Sequence, residues 1–150
     1  MATFESKNFG ENMFDPHSAG EVMVMDETVE LPATLALADI AKIGHLPAGC
    51  VPLDMIVHMG ALETGTAALV VTAGILDDDE TGLVAAGTFA VATAVENTAV
   101  VARGTGTGMA GIAPSANERV LALKVTTAAA TAAAGNIRVI MTYRTANYGA

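Results

Sequence analysis

The sequence predicts an all-β fold, an antiparallel β-sandwich entered through an extended N-terminal arm. Three observations predict it. Seven or eight short runs of β-favouring residues, several of them alternating apolar and polar, are separated by clusters of Gly, Pro, Asn and Asp, which is how a sandwich reads in sequence. The first eighteen residues, rich in Asn, Glu, Ser and Gly, carry no period of 2 or 3.6 and so stand outside the regular elements. Composition agrees: 150 residues, 52% hydrophobic and 15% charged, can form one core, whereas two would be thin. The expected organisation is an arm over residues 1–18 and a sandwich over 19–150. The charged share lies well under the roughly 25% usual for soluble domains, so either the fold or an assembly hides surface.

The arm holds Phe4, Phe9 and Phe14, three of the four phenylalanines, at a spacing of five. A solvated tail is poor in aromatics because each exposed ring forgoes the free energy of burial. Something is therefore expected to bury these rings. Two arrangements do so: the arm folds back on its own domain, or it docks on a neighbouring chain. The three rings are the candidate partner-binding residues.

After the arm, Val22 and Val24 share a face of a short run ending near Asp26 and Glu27. Thr34 to Leu46 is expected to be extended, although Leu37, Ile40 and Ile43 also fit a helix ended by Gly44. In the LPAG turn at 46–49, Pro47 presets its φ and Gly49 tolerates a positive one. Val51 to Met59 is the clearest strand, with Val51, Leu53, Met55, Val57 and Met59 on one face and Asp54 and His58 on the other. Thr66 to Leu76 is a strand apolar on both faces, closed by an acidic loop from Asp77 to Gly82. Leu83 to Asn97 fits either a short helix or a lid. Arg103 to Gly111 reads as flexible loop. Arg119 to Thr127 turns Leu121, Leu123 and Val125 inward; Ile137 to Thr145 turns Ile137, Val139, Met141 and Tyr143 inward. These two are expected to form a hairpin around Gly135.

Charge excludes some functions and leaves others open. A net charge of −9 with a pI near 4.5 speaks against binding nucleic acid nonspecifically, which needs Lys and Arg to neutralise phosphates. Through residue 100 there are 15 acids against Lys7 and Lys42, whereas beyond it five basic residues face Glu118 alone. Either strands from the two regions interleave and neutralise one another, or an acidic outer face opposes a drier, mildly basic face turned to a neighbour. No apolar stretch approaches the roughly 20 residues of a membrane span. The N-terminus lacks a basic start before an apolar core, so the chain is expected to stay in the cytoplasm where it is made. The single Cys50 rules out an internal disulfide and a Cys-based zinc cluster.

Catalytic constellations are missing. His45, Cys50, Asp54 and His58 lie within fourteen residues, but along a strand Asp54 and His58 stand about 13 Å apart, too far to share a metal. His17 beside Pro16 has no visible partner. The DDDE run at 77–80 lacks the alternate spacing of an EF-hand and reads as a solvated turn. GTGTG at 104–108 has no following Lys-Ser or Lys-Thr and is expected to open no helix. With no Trp and six aromatics, a sugar-stacking platform is disfavoured as well. Neither an enzyme nor a cofactor is expected.

Two segments carry a resemblance: ADIAKIGHLPAGCVPLDMIVHMGAL at 38–62 and VLALKVTTAAATAAAGNIRVIMTYRT at 120–145. The first resembles the strand, LPxG turn, strand pattern of small structural proteins encoded beside the major capsid protein in tailed phages, and the second resembles their C-terminal hairpin. The resemblance implies a jelly-roll capsid cement or decoration protein, often a homodimer, whose partners are the major capsid protein and itself. It also implies a place on the capsid surface of the virion after assembly in the host cytoplasm, with neither nucleic acid nor membrane as partner. A tail or head-tail connector component and a small β-sandwich ligand-binding module remain the alternative readings.

Overall fold

A computed structural model describes residues 1–10 and 21–146, apart from the side chains of 85–87 and 106–107. Phe14, His17 and the expected boundary at residue 18 lie outside the described residues. Nine strands and one helical turn follow in order: β1 (Thr3–Glu5), β2 (Val22–Leu31), β3 (Ile40–Leu46), β4 (Cys50–Met59), β5 (Val70–Leu76), β6 (Leu83–Thr93), β7 (Val100–Arg103), α1 (Gly106–Ala110), β8 (Arg119–Thr127) and β9 (Gly135–Thr145). They form a five-stranded sheet, β1-β3-β8-β5-β6, and a four-stranded sheet, β2-β9-β4-β7.

The pairing is nested. β2 pairs with β9, β3 with β8, β4 with β7 and β5 with β6, all antiparallel. A chain folded into four such concentric pairs and wrapped over a core is a jelly roll, so successive strands alternate between the two sheets except at the innermost pair, β5 and β6. The alternation corrects one expectation: β8 and β9 are not a hairpin, because β8 pairs with β3 and β5 while β9 pairs with β2 and β4. Residues 128–134 cross between the sheets instead.

Side-chain alternation explains most strands. In β8, Leu121, Leu123 and Val125 face the core, and in β9 Ile137, Val139, Met141 and Tyr143 do the same. β2 is longer than expected, and its inward face is Met25, Glu27, Val29 and Leu31, leaving Val22 and Val24 outside. In β4 a bulge between Pro52 and Asp54 shifts the register. Cys50 and Pro52 point inward before it, Met55, Val57 and Met59 after it, and Leu53 is left exposed. A period-2 reading cannot register that extra residue. Residues 83–93 are a strand, because β5 offers them a ladder that a run of small residues cannot signal in sequence. Val100–Arg103 adds a short strand on β4, and 106–110 closes one helical turn where loop was expected. Gly49, in the LPAG turn, takes φ 73°, which Gly adopts without strain.

One buried carboxylate ties the loops at one end of the sandwich. Glu63 is fully buried. Its Oε2 accepts from the Ala68 and Leu69 N–H at 2.8 Å each, and its Oε1 accepts from the Ala130 N–H at 2.6 Å. Its own backbone bridges Ala132 and accepts from the Asn97 N–H. Burial pushes the carboxyl pKa up, but the N–H groups of Leu69, Ala68, Ala130 and Thr131 outweigh it and hold the group below its ordinary range.

Glu63→Gln replaces an acceptor-only group with one that presents an NH2 to backbone donors, and is expected to cost about 2–4 kcal/mol of stability at neutral pH. A lowered folded pKa stabilises fully above the unfolded carboxyl value, about 4.5, and loses that contribution as pH falls below it. Urea unfolding of the natural chain between pH 7 and 3 is expected to show that acid loss, and the Gln variant a shallower one. Equal stability of the two chains at pH 7 would contradict the role given to Glu63.

Candidate interaction surface

The N-terminal residues are pinned to the domain by their own backbone. β1 runs parallel to β3, with Thr3 opposite Ile40, Phe4 opposite Ala41 and Glu5 opposite Lys42, the one parallel pair among the described strands. Asp39, buried after a turn in which Ala38 takes φ 69°, accepts from the Ala2 N–H at 2.6 Å and the Ala36 N–H at 2.9 Å. Ser6 is buried; its hydroxyl donates to the Ile43 carbonyl at 2.6 Å and its N–H to that of Lys42 at 2.8 Å.

The rings of this segment meet their own domain. Phe4 is half-buried against the core beside Leu31, Leu35 and Leu123, leaving a void of only about 10 Å³. Phe9 lies on His45, ring centroids 4.8 Å apart, with Lys42 Nζ 5.8 Å from its centre. Lys42 in turn pairs with Glu80 at 2.8 Å.

The two sheets treat their outer faces differently. On the five-stranded sheet, Ile40, Leu76 and Ala122 form a small second cluster with Leu83 and Val120. The acidic loop folds beside it, held by the Lys42–Glu80 pair and by Lys124, whose Nζ donates to the Thr81 carbonyl at 3.1 Å. Asp77 closes the loop by accepting from the Thr81 N–H at 2.8 Å. Among the described residues, the outer face of the four-stranded sheet has no such cover. Across it run Val22, Arg144 and Val51 in one row, and Asp26, Ile140, Ile56 and Arg103 in another.

Two ion pairs lace that open face. Arg138 Nε lies 2.7 Å from Asp26 Oδ1, and Arg103 Nε 3.1 Å from Asp54 Oδ2. Hydrogen bonds from Arg138 hold the Asp26 carboxyl below its ordinary pKa, and those from Arg103 do the same for Asp54. Both pairs join an acid from the first hundred residues to a base from the last fifty, so the interleaving reading of the charge asymmetry describes this sheet. Such solvated pairs orient side chains more than they stabilise the fold.

Among the described residues no constellation for catalysis assembles. Cys50 is buried, His45 Nδ1 faces Glu118 at 3.5 Å, Asp54 is spent on Arg103, and His58 is exposed on the open face. No cluster of three His, Cys, Asp or Glu residues suits a metal among the described residues. The cleft beside the acidic loop, about 430 Å³, is lined by Asp77, Asp78, Glu80, Glu118 and Arg119 and brings no nucleophile and base together. Sequence reasoning missed Asp39, Ser6 and Glu63, since buried polar residues in loops and edges leave no period. It also missed the open face, although the alternating Val22, Val24 and Asp26 were there to find it.

The whole architecture is shared with known structures. Over 98% of this chain and 100% of the other, it superposes on a chain of the capsid of Ralstonia phage GP4 with a TM-score of 0.80 and 28% identity. The chain has the fold of a phage capsid protein. A chain of the capsid asymmetric unit of cyanophage Pam1 shares the fold at TM-score 0.61 and 24% identity, over 90% of this chain and 94% of that one. No protein-family model and no curated protein matches the sequence. The jelly roll is therefore both visible in the strand order and present in phage capsids.

The arm's root is testable without any partner. Phe4→Ala is expected to cost about 1–3 kcal/mol, for the ring packs against the core but is not fully buried. Asp39→Asn is expected to loosen the first residues, so the amides of Ser6 and Ile40 should exchange with solvent faster in both variants. Unchanged exchange would show that the segment is held by other contacts.

Proposed function

We propose that this protein is a capsid cement protein: it binds the outer surface of a phage shell and holds neighbouring major capsid subunits together, working as a homodimer. The observation that carries the reading is the end-to-end match to a chain of a phage capsid, whose parts serve architecture and not turnover. The surface suits the role, having a rigid sandwich, no convergent catalytic groups among the described residues, and apolar side chains left on one face.

Affinity in such a role comes from repetition. Each copy touches more than one shell subunit and a two-fold pair doubles the contacts, so modest interfaces add through effective concentration. The aromatic residues of the first eighteen are the proposed anchors, divided in task. Phe4 fixes the root of the arm on its own domain, and Phe9 and Phe14 are the rings offered to the shell.

Shells assembled from the major capsid protein, mixed with the purified chain and sedimented, should carry it down in stoichiometric amounts and resist heat or chelation better for it. Phe9→Ala with Phe14→Ala is expected to cut occupancy by at least about tenfold while the melting temperature of the free protein stays close to that of the natural chain. Full occupancy by that variant would remove the rings from the interface. Absence of the natural chain from shells, with label found at the tail or portal vertex, would replace cementing by the connector reading.

A further inference from the structure

We infer that a second copy of this chain docks on the outer face of the four-stranded sheet; the inference rests on the homodimer reading above and assigns it a surface. Exposure is the first argument. On this face Val22 is 52% exposed, Val24 55%, Leu53 42% and Val101 64%, around a half-buried centre of Ile56 and Ile140. They lie on both edge strands of the face and on β4, among ion-paired side chains around the two isoleucines, and exposed apolar residues sharing one face with a polar rim suit an interaction surface. Among the described residues, the opposite sheet covers part of its outer face with its own acidic loop and Phe9 and leaves Val84 and Val91 exposed only along its edge strand β6, whereas the four-stranded sheet exposes apolar residues across its face.

Charge selects the occupant. The chain carries −9, and two copies repel wherever unpaired acids meet. On this face three acids, Asp26, Glu30 and Asp54, stand against three arginines, Arg103, Arg138 and Arg144. It is locally neutral, and two of its acids are already paired within the chain. A two-fold axis through Ile56 and Ile140 sets apolar centre on apolar centre and neutral border on neutral border, which an isologous contact requires. The acidic loop of the other sheet would meet its own copy with like charge.

Size permits it. Three strands of ten or eleven residues and one of four, about 4.8 Å apart and about 3.3 Å per residue, make a face of roughly 550 Å². Two copies then bury about 1,100 Å², just above the roughly 1,000 Å² that a specific interface must clear.

The test is sedimentation velocity of the full chain without shells. The natural chain is expected to be dimeric at micromolar concentration. Val24→Asp with Leu53→Asp, and separately Val101→Asp, are expected to weaken the dimer at least about 100-fold while melting near the natural temperature. Val91→Asp, at an equally exposed position (54%) on the other sheet, is expected to leave it intact. A natural chain monomeric at about 100 μM overturns the inference, as does a dimer that survives both face variants or falls to Val91→Asp. Shell occupancy is measured in parallel. A monomeric chain that binds shells and loses them on Val24→Asp with Leu53→Asp assigns the face to the shell and overturns self-docking. A dimer broken as expected by a chain that never binds shells leaves the face standing and sinks the cement reading.

Discussion

The sandwich depends on how the Glu63 carboxylate is solvated. A buried anion without a cation is among the costliest groups a core can hold, and here backbone N–H donors stand in for water. Those donors come from two separate stretches, 68–69 and 130–131, and the Glu63 carbonyl adds Asn97. Three connections that share no strand ladder are thereby fixed to one residue. The crossing from β8 to β9, rich in Ala and Thr, is held there by the Glu63 carboxylate together with backbone hydrogen bonds between Thr64 and Thr131 and between Ala133 and Leu62. Because that crossing carries the chain between sheets, the nesting of β9 between β2 and β4 rests on it.

With that end fixed, the two sheets are free to differ. The five-stranded sheet gains an extra edge strand from the N-terminus, which covers the flank of β3 and removes one exposed ladder. Its outer face is then occupied by material from the same chain, with Lys42 and Lys124 drawing the acids of the 77–82 loop down. The four-stranded sheet keeps its outer face bare and neutral. Most of the chain's excess negative charge lies elsewhere, and this asymmetry orients the molecule with respect to anything it meets.

What could be read in the sequence divides along a physical line. β8 and β9 have one face of large apolar residues and a more polar opposite face, so alternation alone recovers their inward sets and the ends of β8, while β9 starts two residues earlier, at Gly135. β4 was half legible: its length was right, but the bulge at Leu53 exchanges faces partway along. β2 was read too short, ending near Asp26 and Glu27, because its outward valines outshine the buried Met25, Glu27 and Val29 that carry it on to Leu31. β6, made of Ala, Gly, Thr and Val with one Phe, has no contrast to detect. The β8–β9 hairpin failed for a topological reason, since β8 and β9 sit in opposite sheets and only long-range pairing reveals it. Of the surface, the three aromatic residues of the first eighteen stood out in composition, whereas Asp39 and Ser6 matter through backbone contacts that no residue pattern announces.

An arm fixed at its root differs in kind from a free tail. Ordering a flexible segment on binding costs conformational entropy for every residue immobilised. Here residues 2–6 are already laid along β3 by the parallel ladder and by four further hydrogen bonds of Ala2 and Ser6 before any partner arrives, and Phe9 already has a defined seat on His45. In the proposed cementing role, part of the entropic cost of docking would be met in folding. Affinity gained that way is small per copy. On a shell whose symmetry presents the same contact many times, small and uniform contributions are what a clamp requires, because no single joint must be strong for the whole to resist expansion.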